Sequence, residues 1–430
     1  MADLKPKKTN KACVIGLDGV PYGMIVELAR RGVMSTMARL MDVGKIHRMK
    51  ASLPEISSVS WTDFMTGTNS GTHGIFGFTD FKPKSYAIRF PNFLDVKAPT
   101  IWDKLGAKGK KSVIINQPST YPARKTDGIL ISGFVALELA RAVWPMSCRA
   151  ALEQMGYQID VDILKCRERP ELLWPELNKT MAGGQKALNF FWDDGWDYFE
   201  FIITGTDRLH HLLWRAYEDA DHPAHQAFLD FYRHIDRLIG KIVAAYHKFA
   251  NTYAGFYILS DHGFCGAEKE VYLNAWLEQN GYLRFVKPEP ESLEDIHGRS
   301  RAFALDPNRI YLNYKSKFPK GSVERTARRA LKEEIAAKLA KLECQGRRVV
   351  RRVFMAEEAY SGPCASKGPD LIVVAEPGFD MKGSVRKKEV FGRPGLQGMH
   401  TWDDAFFWSA EDLGDDLKIS DLAPVILKNF

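Results

Sequence analysis

Ala12-Cys13-Val14-Ile15-Gly16-Leu17-Asp18-Gly19 decides the fold: a small, apolar run of strand length passes straight into an aspartate and a glycine. Branched aliphatic side chains favour a pleated, buried strand. The same pattern recurs at Phe199 to Thr204, which leads to Asp207, and at Gly255 to Ser260, which leads to Asp261. Ser112 to Asn116 and Asp370 to Ala375 read as two more strands, and stretches of helical spacing lie between them. The clearest helix runs from about Gln226 to Lys248, with Phe228, Tyr232, Ile235, Ile239 and Ile242 on one stripe. Strands separated by helices imply an α/β chain, a doubly wound and mainly parallel sheet covered on both faces. In such a sheet, ligands bind beyond the carboxyl ends of the strands. Asp18, Asp207 and Asp261 would therefore converge on one rim; a single Asp after a strand is usually a turn former or helix cap, and it is the three together, two of them with histidines, that point to a site.

Histidines accompany these carboxylates. Asp207 and His211 are four apart in Asp207-Arg208-Leu209-His210-His211, so a helix there puts both on one face, with His210 turned away as a packing residue. Asp261 and His262 are neighbours that can share an ion where the chain turns at Gly263. His400 follows Gly398-Met399 in another glycine-containing stretch. Three Asp and three His without thiolates suit two divalent ions, zinc by donor type or manganese. Paired cations are a recurrent device for phosphoryl transfer. A nucleophile candidate lies in Leu53-Pro54-Glu55-Ile56-Ser57-Ser58-Val59-Ser60-Trp61, at the start of a helix that ends near Gly67. There Ser57 meets the positive end of the helix dipole, or else simply caps it, and Ser58 is its rival as nucleophile.

The rest of the composition is that of an ordinary globular protein: 430 residues, 45% hydrophobic and 26% charged, which excludes wholesale disorder and fibrous architecture. No apolar run approaches the roughly 20 residues that span a bilayer. The first ten residues carry Lys5, Lys7 and Lys8 without an apolar signal region, so a cytoplasmic protein is expected. Six cysteines stand singly, which indicates reduced thiols and neither a disulfide framework nor a zinc ribbon; Cys265 reads as a small packing residue. From Lys315 to Arg352, 13 Lys and Arg face four Glu, a local excess of +9 against +7 for the chain. Such a segment is a solvated helix face or an anion-attracting surface. It lies in 287–357, which opens with Pro288 and Pro290 and reads as an inserted cap, leaving 10–286 and 358–430 as the catalytic core. Within the cap, a helix is expected over Thr326 to Leu342. A second insertion is expected at 136–182, punctuated by Trp144, Pro145, Pro170 and Pro175.

Gly16-Leu17-Asp18-Gly19, the Pro54 to Gly67 block followed by Gly71-Thr72-His73-Gly74-Ile75, Asp207 with His211, Ser260-Asp261-His262-Gly263 and Gly398-Met399-His400 together resemble the alkaline phosphatase superfamily. Within it, the pattern is similar to bacterial-type members of the type I phosphodiesterases and nucleotide pyrophosphatases. The resemblance implies one metal held by Asp18, Asp261, His262 and the Ser57 oxygen, and another by Asp207, His211 and His400. It implies attack of Ser57 on phosphorus, a phosphoseryl intermediate, and hydrolysis with net retention, on small phosphorylated substrates such as nucleotides. The chain departs from family patterns at Ser60, where an asparagine often contacts a phosphoryl oxygen, and at Ser58 and Val59, where many relatives have proline. Pro307 to Asn313 resembles the strand that opens a bacterial cap, so Ser60 and Arg309, with Arg301 and Lys315, are candidate substrate contacts. Trp61, Phe76, Phe78, Phe81 and Trp402 are candidates for stacking a nucleobase or for core packing. A phosphomonoesterase or mutase on the same core is the nearest alternative. A sulfatase is excluded by the missing Cys-x-Pro-x-Arg motif, and a non-catalytic nucleic-acid-binding protein lacks a recognisable motif.

Overall fold

A computed structural model describes residues 10–430 except 194 and 251; the basic stretch with Lys5, Lys7 and Lys8 lies outside the described residues. The chain divides into two compact units, one of Met1–Thr68, Asn92–Phe264 and His400–Phe430, the other of Asn69–Pro91 and Cys265–Met399.

The first unit is built on a nine-stranded sheet. Its central strands are parallel, in the order Phe256–Leu259, Ala12–Leu17, Tyr198–Ile203, Ser112–Gln117 and Gly128–Ser132. Ala405–Ser409 then runs antiparallel to Phe256–Leu259. Ile15 pairs in register with Phe201 on one side and Ile258 on the other, so the three strand ends that precede Asp18, Asp207 and Asp261 are level. Every residue of Ala12–Leu17 and Tyr198–Ile203 is buried, as parallel strands covered on both faces require. Helix His225–Ala250 contributes Phe228, Tyr232, Ile235 and Ile239 to the same core as Ile15 and Phe201. The segment 136–182 lies inside this unit and adds Val143–Trp144 as an antiparallel edge strand.

In the second unit a four-stranded antiparallel sheet runs Ala302–Leu305, Arg309–Leu312, Leu371–Ala375, Val350–Met355. Leu371–Ala375 is thus a strand as expected, but of this sheet and not of the main one: its apolar run is covered on both faces here too, so composition alone cannot assign it. The helix expected over Thr326 to Leu342 is Arg328–Leu339. The segment 287–357 falls within this unit, whose bounds are wider. Phe81 and Tyr86 pack on Phe303 and Phe318, which ties Asn69–Pro91 into it, whereas the proline and charge shift near 288 marks only a change in exposed sequence.

The basic excess of Lys315 to Arg352 is largely answered by acids outside that window. Arg347 pairs with Glu268, Arg348 with Glu376, Lys332 with Glu357, Arg352 with Glu358 and Arg328 with Asp370.

Candidate active site

Asp18 follows the strand Ala12–Leu17 and is held by two donors from the helix Ser57–Thr66: Ser57 Oγ to its Oδ1 at 3.2 Å and Trp61 Nε1 to its Oδ2 at 3.1 Å. Trp61 is completely buried against the strand, and a Cβ at Gly16 would come within 2.5 Å of its ring. Trp61 is therefore an anchor for Asp18, not a base-stacking surface. The helix cap is Ile56, in extended conformation, so Ser57 is the first helical residue and does not cap it. The Ser57 hydroxyl also lies 3.1 Å from His262 Nε2. His262 Nδ1 faces the carbonyl of Gly263 at 3.0 Å, which assigns the proton to Nδ1 and the lone pair of Nε2 to the cluster.

Asp261 accepts the Gly19 amide through Oδ1 at 3.0 Å, and its buried Oδ2 accepts no hydrogen bond. Gly19 has φ +66°, and a Cβ there would meet His262 Cε1 at 3.1 Å and Asp207 Oδ1 at 3.3 Å. Only glycine supplies both the left-handed turn and the space.

Asp207 and His211 stand one turn apart on helix Gly205–Glu218, as their spacing predicts. Asp207 Oδ1 lies 3.2 Å from His400 Nε2 and 3.4 Å from His211 Nε2, and the two imidazole nitrogens are 3.1 Å from each other. His400 Nδ1 donates to the carbonyl of Glu55 at 2.9 Å, and the His400 ring stacks on His262 with centroids 3.7 Å apart. His210 points away, between the Gly19 carbonyl at 2.9 Å and the Tyr232 hydroxyl at 2.6 Å. All seven candidates, Asp18, Ser57, Asp207, His211, Asp261, His262 and His400, come together within the first unit.

Burial, reinforced by Asp261 and Asp207, pushes the Asp18 carboxyl well above the usual range, and burial pushes Asp261 up to about 8. Asp207 is buried as well, yet the charges of His211 and Arg208 hold it well below the usual range. Burial lowers His262 to about 4. Desolvated carboxylates this close repel one another, and a carboxylate oxygen without a donor faces imidazole lone pairs. Such a set fits divalent cations, which supply the missing positive charge. Two overlapping groups, Asp18 with Asp261 and His262, and Asp207 with His262 and His400, each have donor atoms within 4.8 Å of one another.

Two sequence candidates are placed elsewhere. Arg309 is completely buried in the second unit, where Nε and Nη2 donate to the Asp306 carbonyl and Nη1 to the Thr79 carbonyl at 2.9 Å. Its donors are spent on the protein, because a buried guanidinium must be satisfied internally. The Ser60 hydroxyl is tied to Ser52 Oγ at 2.8 Å, bracing the turn into the helix. Phe76 and Phe81 are core residues of the second unit, edge-on to Tyr360 and Phe303. Sequence reasoning missed the Glu55 carbonyl, which no side-chain pattern reveals. It also passed over Arg208, visible beside Asp207 but uninterpretable without its partner Asp160.

The model of the type I phosphodiesterase / nucleotide pyrophosphatase family matches residues 12–403, and the chain belongs to that family. Its architecture is the α/β fold of the alkaline phosphatase superfamily. Phosphonoacetate hydrolase from Sinorhizobium meliloti 1021, solved with phosphonoformate, is similar at TM-score 0.66 and 17% identity, covering 98% of this chain and 96% of that one. An inactive variant of murine ectonucleotide pyrophosphatase / phosphodiesterase 5 in complex with AMP is similar at TM-score 0.57 and 12% identity, covering 97% and 94%. No curated protein matches the sequence. Among the described residues, no helix is long and apolar enough to cross a membrane. Family membership makes the chain a hydrolase of the phosphodiesterase/pyrophosphatase type.

Proposed function

We propose that the protein cleaves phosphodiester or pyrophosphate bonds in small, nucleotide-like substrates, with Ser57 as nucleophile and a phosphoseryl intermediate. The observation that carries this reading is the Ser57 hydroxyl, set at the start of a helix and within 3.2 Å of both Asp18 Oδ1 and His262 Nε2. Asp18, Asp261, His262 and Ser57 Oγ would hold one divalent ion, and Asp207, His211 and His400 the other, with zinc favoured by donor type and manganese accepted. Such ions supply the positive charge that stabilises a serine alkoxide and the phosphoryl oxygens.

The chain's own groups prepare the same step. Trp61 Nε1 holds Asp18 beside Ser57, whose hydroxyl has two acceptors within reach for its proton, Asp18 Oδ1 and the unprotonated His262 Nε2. The helix dipole favours negative charge on the Ser57 oxygen as it attacks phosphorus and the leaving group departs. Water then displaces the serine, and two inversions return the original configuration. AMP bound to the murine relative supports a nucleotide-like substrate.

The test compares bis-p-nitrophenyl phosphate, p-nitrophenyl thymidine monophosphate, p-nitrophenyl phosphate and phosphonoacetate, using metal-stripped protein refilled with zinc or manganese. Diester cleavage that returns with metal supports the proposal. Preference for the monoester would reassign the protein to phosphatase or mutase chemistry, and preference for phosphonoacetate to C–P bond cleavage.

A further inference from the structure

Arg208 follows Asp207 in the chain and turns back on it: Nη1 donates to Asp207 Oδ2, while Nε and Nη2 donate to Asp160 Oδ2 at 3.1 and 2.7 Å. Asp160 Oδ1 accepts from Thr204 Oγ1 at 3.0 Å, and the guanidinium lies 4.2 Å from the centroid of the Phe134 ring. The Arg208 and Asp160 side chains are only 7% and 14% exposed. One oxygen of Asp207 is therefore engaged from behind, and the other, Oδ1, faces His400 and His211. A planar guanidinium serves the two carboxylates from separate edges in a fixed geometry, which a compact ammonium in its place does not reproduce.

We propose that Asp160 and Arg208 form a positioning pair: Asp160 clamps Arg208, Arg208 commits Asp207 to presenting a single oxygen beside His211 and His400, and this sets the cation affinity of that position alone. The inference rests on the assignment of Asp207, His211 and His400 as cation donors. A carboxylate limited to one free oxygen suits small ions such as zinc and disfavours calcium, which readily takes both oxygens of a carboxylate.

The experiment is titration of metal-free, full-length protein with zinc and with calcium against a competing chelator, for wild type, Asp160→Asn, Arg208→Lys and His211→Ala, with near-UV circular dichroism to confirm folding. Wild type should bind two zinc ions and His211→Ala one. Asp160→Asn and Arg208→Lys should each weaken one zinc position by about 10–100-fold, leave the other within about threefold, and narrow the preference for zinc over calcium. Saturating zinc should return hydrolysis to Asp160→Asn, which a folding defect would not allow. If Arg208→Lys does not fold, Asp160→Asn decides alone. Wild-type affinities in both variants, or equal weakening of both positions, overturn the positioning pair and leave the site assignment standing. Two zinc ions retained by His211→Ala overturn the site assignment and the pair with it.

Discussion

Ser57 and Ser58 are both buried hydroxyls, but Ser57 is the one directed at Asp18 and His262. Ser57→Ala should lower kcat by at least about 10³-fold, on the scale of losing a covalent nucleophile. Ser58→Ala should change it by less than about threefold, since a hydroxyl making no catalytic contact contributes little; steady-state kinetics on a diester reads both, and the reverse ranking would move the nucleophile to Ser58. Arg309 belongs to a different category. Arg309→Ala should destabilise the protein by about 3 kcal/mol, because the Thr79 and Asp306 carbonyls lose a buried charged donor. Urea unfolding measures that cost, and an unchanged midpoint would return Arg309 to the list of free anion contacts. The Asp and His candidates that the structure brings together were legible because residue type and short spacing mark them in the sequence. Arg309 was misread, and Trp61 was left open between stacking and packing, because sequence does not tell whether a large or charged side chain faces inward.

Strand Tyr198–Ile203 carries a second, independent titration. Glu200 is completely buried in it, receives the Tyr198 hydroxyl, and is pushed by burial up to about 8. In the unfolded chain a glutamate titrates near about 4.3, so between these values the folded state holds a proton that the unfolded state has released. The stability Glu200 contributes is thus fully present below about pH 4.3 and is lost as pH rises through 8, at up to about 1.4 kcal/mol per pH unit. Glu200→Gln should flatten that slope; chemical denaturation at several pH values between 5 and 8.5 checks it, and equal slopes for both proteins would sink the idea. At this scale the strands before Asp18, Asp207 and Asp261 were readable, as was the long helix, since their patterns are local. Sheet membership was not: Leu371–Ala375 and Phe256–Leu259 are similar apolar runs, and only pairing partners distant in sequence separate them.

Across the whole molecule, a cluster of buried carboxylates and imidazoles gains most from bound cations. Chelation should lower the unfolding midpoint of the purified protein, and zinc at 100 times its Kd should restore about 2.7 kcal/mol for each ion bound to the native state alone. Differential scanning calorimetry before and after refilling measures this, and an unchanged transition would count against native-state metal. Unit boundaries were the least legible feature, because the packing of Phe81 on Phe303 and of Tyr86 on Phe318 joins segments more than 200 residues apart. The candidate donor set is spread just as widely, from Asp18 to His400. During synthesis at about 5–20 residues per second, His400 leaves the ribosome roughly 20–80 s after Asp18. All the earlier donor candidates are present only after His262, so the nascent chain carries them without the residue that closes the cluster for about the last third of that time, and under the proposed donor assignment metal loading waits until His400 has emerged.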